Sequence, residues 1–407
     1  VKTKITRFSI ALFILALAAP CVTAQDFGFI LNQQFIMADD DYYFYSPVGI
    51  PWFSAPLGEK AETFLSAGIG AEYDDNEWKA LVEIYRFELS LRPTPNFGLV
   101  FGRQNFNDGL GLAMTGLFDG ISIDANIGGG QLSAGILYTG LLYKKTALIT
   151  FTPRSKDIDN YNETDGYYKY FASRRIVAGI NWEKTSIFDS QANFWLSGIN
   201  QVDLNDFNDA RTHSQYLVAK LFTPLGGIFN LDFGGILELL EEKETKDDTD
   251  LRLAVAASLD LYMLFNGKLP GLLSLGGRFS TGRWNDKMAA YAPISGVSQG
   301  RVLRPNLSGI ALVQADYAAR LHKTLFMDFF AAYLFRTDTE SFKPTDIDSN
   351  SDSPLLGGEL FLELSWAPLS DLFFTAGGGV FFPQLGKAFS DNAQIKYRLE
   401  LTAGISF

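Results

Sequence analysis

The 407-residue chain predicts an all-β fold: a transmembrane, antiparallel up-and-down β-barrel of 18 strands, with 16 as the alternative count. Three observations carry this. Apolar and polar residues alternate along runs of roughly 10–14 residues, longer than sandwich strands of about five or six and suited to tilted strands crossing a bilayer. The connections between these runs are alternately short and long. Finally, the chain is 47% hydrophobic and 14% aromatic, with 38 glycines, yet beyond its first residues no apolar stretch approaches the length of a helical span.

The opening, VKTKITRFSIALFILALAAPCVTAQ, places Lys2, Lys4 and Arg7 before an apolar run from Phe8 to Ala19. Val22-Thr23-Ala24 then satisfies the small-residue rule for cleavage, so residues 1–24 are expected to be a secretory signal peptide and residues 25–407 the barrel. Cys21 is the only cysteine, and Pro20 stands where a lipid-anchor signal requires a small residue. Cleavage after Ala24 leaves no thiol or disulfide chemistry. It also removes three cations, leaving 31 basic against 46 acidic side chains, a net charge of −15. That sign argues against nucleic acid as a partner.

Next, DFGFILNQQFIM and YYFYSPVGIPWF supply two candidate strands, the second weakened by Pro47 and Pro51. Without them, residues 25–61 become a periplasmic or plug segment on a 16-stranded barrel. From residue 62 onward the alternation is regular. In DLRLAVAASLDLYM, Leu251, Leu253, Val255, Ala257, Leu259, Leu261 and Met263 share one face, while Asp250, Arg252, Ser258 and Asp260 occupy the other. QIKYRLELTAGISF behaves likewise, with Leu399, Leu401 and Phe407 opposite Lys396, Arg398 and Glu400.

Short connections are expected at 92–96, 128–130, 186–190, 223–227, 266–271, 321–324 and 367–371. Long ones are expected at 105–117, 142–171, 202–211, 240–249, 284–305, 337–354 and 383–392. This is the asymmetry of an outer-membrane barrel, with short periplasmic turns and longer external loops. The terminal Phe407, with Ile405 and Leu401 on its face, resembles the C-terminal signal by which bacterial outer-membrane proteins are recognised by their assembly machinery.

A barrel of this size encloses an aqueous channel, so its inward faces should carry the charges. The alternation assigns Arg86, Glu88, Asp124, Arg175, Glu183, Asp232, Glu238, Asp250, Arg252, Asp260, Arg278, Asp316, Arg320, Glu359, Glu363, Lys396, Arg398 and Glu400 to that surface. These ions either pair across the wall or set a transverse field along a permeation path.

The segment RQNFNDGLGLAMTGLFDG (103–120) is uncharged from Gly109 to Phe118. Too apolar for an exposed loop and too short for a span, it is a candidate constriction packed inside the barrel, with Asp108 and Asp119 projecting into the opening. A cap on neighbouring loops is the competing expectation. The GRQ…GLFDG arrangement over residues 102–120 resembles segments of alginate-export-type outer-membrane channels, which implies a porin-like channel and transfers no substrate.

Other chemistry has little support. His213 and His322 are the only histidines, and no nucleotide-binding run occurs. Asp346, Asp348, Asn350 and Asp352 recur at every second position, but Ser351 and Gly357 replace the glycine and glutamate of a calcium loop. The acidic loop 157–166 has Tyr161 where a ligand is needed. No catalytic residue, metal or cofactor is expected. The expected function is passive diffusion of small hydrophilic solutes through a charged, water-filled lumen in the bacterial outer membrane. The alternatives are a surface adhesin or structural barrel with a closed lumen, or a plugged uptake channel for hydrophobic compounds.

Overall fold

The computed structural model describes residues 25–407 apart from 40–41, 75, 144–146, 148, 150–169, 188–190, 205–210, 246–247, 268, 286, 297, 343–345 and 349. The expected signal peptide and the loop 157–166 lie outside the described residues.

Eighteen strands follow one another: β1 (Asp26–Ala38), β2 (Tyr42–Pro56), β3 (Ala61–Asp74), β4 (Glu77–Thr94), β5 (Phe97–Asn105), β6 (Leu117–Ile127), β7 (Gly130–Tyr138), β8 (Arg175–Ile187), β9 (Ala192–Asp203), β10 (Arg211–Gly226), β11 (Phe229–Thr245), β12 (Asp248–Phe265), β13 (Gly271–Ser280), β14 (Ile310–His322), β15 (Leu325–Arg336), β16 (Leu355–Leu369), β17 (Leu372–Pro383) and β18 (Lys396–Ser406). Each pairs antiparallel with its chain neighbours, and β1 pairs with β18 from Ile30↔Ser406 to Ala38↔Arg398, which closes the sheet. Closure leaves no free edge.

The first two strands stand in the wall, so the count is 18 and residues 26–56 do not plug the bore. Proline is tolerated in β2 because of where its missing donors fall. Pairing with β1 is unbroken, whereas pairing with β3 omits Ser46, Pro47, Ile50 and Pro51.

Short turns and long loops occupy opposite rims. One expected loop is different: β11 continues to Thr245 and β12 begins at Asp248, so 240–249 is mostly a paired hairpin. Its charges concealed the strands, yet beyond the apolar belt nothing prevents charged residues from pairing their backbones.

The outward face is apolar, with Leu253, Leu259, Val313 and Leu401 each 42–56% exposed. An apolar surface that encircles the molecule suits lipid rather than water. Outward aromatic contacts mark both rims. Tyr45 and Tyr73 meet Trp78 near the long-loop rim. Trp182–Phe194, Phe265–Tyr317 and Trp366–Phe374 lie near the short-turn rim.

The phase changes once inside β4. A bulge opposite Ser66 and Ala67 leaves Tyr85 unpaired with β3, so Val82 and Ile84 face out and Glu83 faces in, while Arg86 and Glu88 beyond the bulge also face in. Strict alternation therefore misses Glu83.

Candidate functional site

Loop 106–116 turns into the barrel. Its apolar residues exchange water for the inner wall: Ala113 and Met114 are fully buried and cluster with Phe106, Leu112, Val177, Val218, Ile236 and Ala256. Glycines on the wall make room for it. A Cβ at Gly179 would lie 2.8 Å from the Phe106 ring, and one at Gly234 would lie 2.8 Å from Leu110.

Polar contacts hold the loop there. Asn181 Nδ2 donates to the Asn107 carbonyl (2.7 Å), and Gly109 N–H donates to Ser197 Oγ (3.3 Å). From loop 281–309, the Tyr291 hydroxyl donates to the Leu112 carbonyl (3.0 Å) and Ile294 N–H to the Ala113 carbonyl (2.8 Å). The barrel interior is thus the environment that suits an uncharged Gly109–Phe118.

Asp108 and Asp119 are not placed as the sequence suggests. The Asp108 carboxylate is buried and accepts backbone N–H bonds from Leu110, Gly111, Ala113 and Met114 at 2.7–2.9 Å, folding its own loop instead of projecting into an opening. Burial pushes this carboxyl above its usual range, against the pull of the four donors. Asp119 lies on the opposite face of β6 from Phe118 and Ser122 and holds Arg103 bidentately at 2.8 and 3.0 Å. Arg103, on β5, also pairs with Glu83 and donates to the carbonyls of Ile84 and Leu141, tying β4, β5, β6 and the loop after β7 together. That loop is pinned further by the Tyr143 hydroxyl, which donates to Glu72 (2.6 Å). Burial, then this contact with Glu72, raises the phenol well above its ordinary range.

A second insertion comes from loop 281–309. Glu359 on β16 is almost fully buried, and its carboxylate accepts N–H bonds from Arg301 (2.6 Å), Val302 (3.2 Å) and Leu303 (3.1 Å). The turn presents Arg301 and Arg304 to the lumen. Arg301 lies over the Phe330 ring and reaches Asp316 (3.6 Å) and Asp328 (3.5 Å). Arg304 is 3.5 Å from Glu400, and burial followed by the Arg398 charge pushes its guanidinium below the usual arginine range.

Between the two insertions and the wall lies a cleft of about 540 Å³. Leu110–Leu112 and Ser298–Arg301 border it with Arg304, and the wall contributes Arg278, Gln314, Asp316, Phe330, Phe361 and Glu400.

Of the residues singled out by alternation, Arg278, Asp316 and Glu400 line the cleft. Asp260 pairs with Arg278 (2.8 Å), and Arg398 pairs with Glu400. The others lie elsewhere on the inner surface. Arg86 holds Glu88 (2.6 Å), Asp124 accepts from Ser133 (2.5 Å), and Asp232 pairs with Lys220 (3.0 Å). Arg252 bridges Asp250 (2.7 Å) and Glu242 (3.0 Å), while Arg175 is buried beneath the loops. Arg320 donates to the carbonyls of His322 and Lys323 at the short-turn rim. His213 Nδ1 accepts the Asp203 N–H, Asp346 pairs with Lys396, and Asp348 accepts from Asn350 N–H.

Arg301, Arg304 and Asp328 do not stand out in the sequence. The two arginines sit in a loop, where alternation carries no information. Their one local signal is the run GRVLRPN, two cations close behind a glycine.

A closed, lipid-facing barrel whose bore is narrowed by inserted loops has the architecture of an outer-membrane channel. No family model and no curated protein matches the chain in sequence. Solved structures do match. The Pseudomonas aeruginosa outer membrane protein opdK superposes with a TM-score of 0.60 at 12% identity, covering 95% of this chain and 99% of its own. Pseudomonas aeruginosa OccK2 (OpdF) in complex with glucuronate gives 0.57 at 12% identity over 95% and 99%. Pseudomonas aeruginosa OprD gives 0.56 at 13% over 95% and 96%. At such identities the likeness is one of fold: the chain has the 18-stranded barrel fold of these outer-membrane proteins.

Proposed function

We propose that the chain is a bacterial outer-membrane channel, exported by the signal peptide at 1–24, through which small hydrophilic solutes diffuse past the cleft, with solutes bearing a carboxylate favoured. The observation that carries this reading is the state of the cleft arginines. The side chains of Arg301 and Arg304 are 40% and 43% exposed and meet acidic partners only at 3.5–3.6 Å, whereas those of Arg103 and Arg252 are 8% exposed within tight pairs. Half-exposed guanidinium groups with loose partners retain donors for an incoming carboxylate. The glucuronate complex of the similarly folded OccK2 (OpdF) supports this choice, since glucuronate is a carboxylated sugar. The remaining inner-wall ions, including Arg86, Asp124, Asp232 and Arg320, would keep the bore wet and charged.

The test is single-channel conductance of refolded protein in a planar bilayer, wild type beside a deletion of 107–115. Ohmic steps that enlarge on deletion are expected. An absence of conductance from both, with heat-modifiable migration showing intact barrels, would overturn the channel reading in favour of a closed-lumen barrel.

A further inference from the structure

We infer that Glu359 is a positioning residue, which sets the turn 300–304 so that Arg301 and Arg304 face the cleft. The inference rests on the channel reading for its meaning, but not for its geometry.

The Glu359 carboxylate has no face on the lumen. It is 1% exposed, and its recorded partners are three successive N–H groups, those of Arg301, Val302 and Leu303. Successive N–H groups that converge in this way form an anion-binding concavity, here filled by the protein's own side chain. The preceding Gly300 has φ +77°, and a Cβ there would lie 2.5 Å from Glu359 Oε1, so the fit between turn and carboxylate requires glycine. Val302 is buried in the apolar cluster that contains Phe330, Phe361 and Phe381, and this anchors the turn from its other side.

A turn held so firmly allows its two arginines to remain only loosely paired. Freed from it, the Arg301 guanidinium would settle onto Asp316 and Asp328, and its charge would be neutralised. This gives a sign that distinguishes positioning from a simple field effect. Removing an acidic charge from beside a pore should by Coulomb's law make it more anion-permissive, whereas loss of positioning makes it less so.

The experiment measures reversal potentials in a potassium chloride gradient for the wild type, Glu359→Gln, Gly300→Ala and Arg301→Gln. In Glu359→Gln the amide NH₂ would oppose N–H donors. Gly300→Ala keeps every charge and displaces the carboxylate sterically. Both are expected to lower the chloride-to-potassium permeability ratio about twofold or more, towards the value of Arg301→Gln. In parallel, trypsin is expected to cleave Arg301–Val302 in both positioning variants and not in the wild type, because the bond becomes accessible only when the turn opens. A ratio that rises in Glu359→Gln, or trypsin resistance equal to wild type in both positioning variants, would overturn the inference. An unchanged ratio in Arg301→Gln would instead overturn the role of that arginine in permeation, and the trypsin comparison would still decide the role of Glu359.

Discussion

Asp108 and Arg103 show how a buried charge can shape a pore without lining it. Asp108 satisfies four N–H groups of a loop that is itself inside the barrel. Asp108→Ala orphans those donors, at about 1–3 kcal/mol for each that stays buried, so the loop should leave its seat. The expected outcome is larger and noisier single-channel current with an intact barrel; unchanged current would show that the apolar contacts hold the loop alone. Arg103 neutralises Glu83 and Asp119 together. Arg103→Ala leaves two acidic groups in a dry setting and should cost about 3–5 kcal/mol, read as a lowered urea midpoint in liposomes. Arg103→Lys should restore only part of it, because a single ammonium cannot reproduce the bidentate contact with Asp119.

At the scale of elements, the constriction depends on small residues in the wall as much as on the loop. Phe106 occupies the space above Gly179 and Leu110 that above Gly234, so both strands are notched where the loop crosses. Gly179→Leu should push Phe106 off the wall and raise conductance in the same direction as the loop deletion; equal conductance would show that the loop tolerates the shift. The β4 bulge has a comparable effect. By inserting Tyr85 it turns Glu83 inward, where the carboxylate meets Arg103 and the Tyr170 hydroxyl. The β11–β12 hairpin extends beyond the apolar belt with charges on its strands, Glu241 opposite Leu251 and Glu242 opposite Asp250.

Across the whole molecule, period-two alternation separates two solvents. On β17, Ala376 faces out and Thr375 faces in, where it pairs with Thr402 and lies 3.3 Å from Ser365 Oγ. Ala376→Arg should destabilise folding into liposomes by about 2–4 kcal/mol, while Thr375→Arg should cost far less; similar urea midpoints for the two would contradict the lipid-facing assignment. This division was legible in the sequence because neighbouring strand residues point to opposite faces whatever their partners are. The strands from residue 62 onward and the inward direction of Arg278, Asp316 and Glu400 follow from that local rule. The choice of 18 strands over 16, in contrast, needed the pairing of β1 with β18 across the length of the chain. The seating of loop 106–116 does not follow from the local rule either. Leu112 meets Tyr291 and Ala113 meets Ile294 across some 180 residues of chain, and no periodicity links them. For the same reason alternation is silent on Arg301 and Arg304, and the local sequence points Asp108, Asp119 and Glu359 to a surface they do not line. Most of the wall is therefore readable from the chain alone, since a regular strand residue needs only its neighbour and its solvent, and it is lost only where a bulge shifts the phase, as at Tyr85. What fills the wall was decided by tertiary contacts, since a loop's conformation depends on the distant groups that satisfy its backbone.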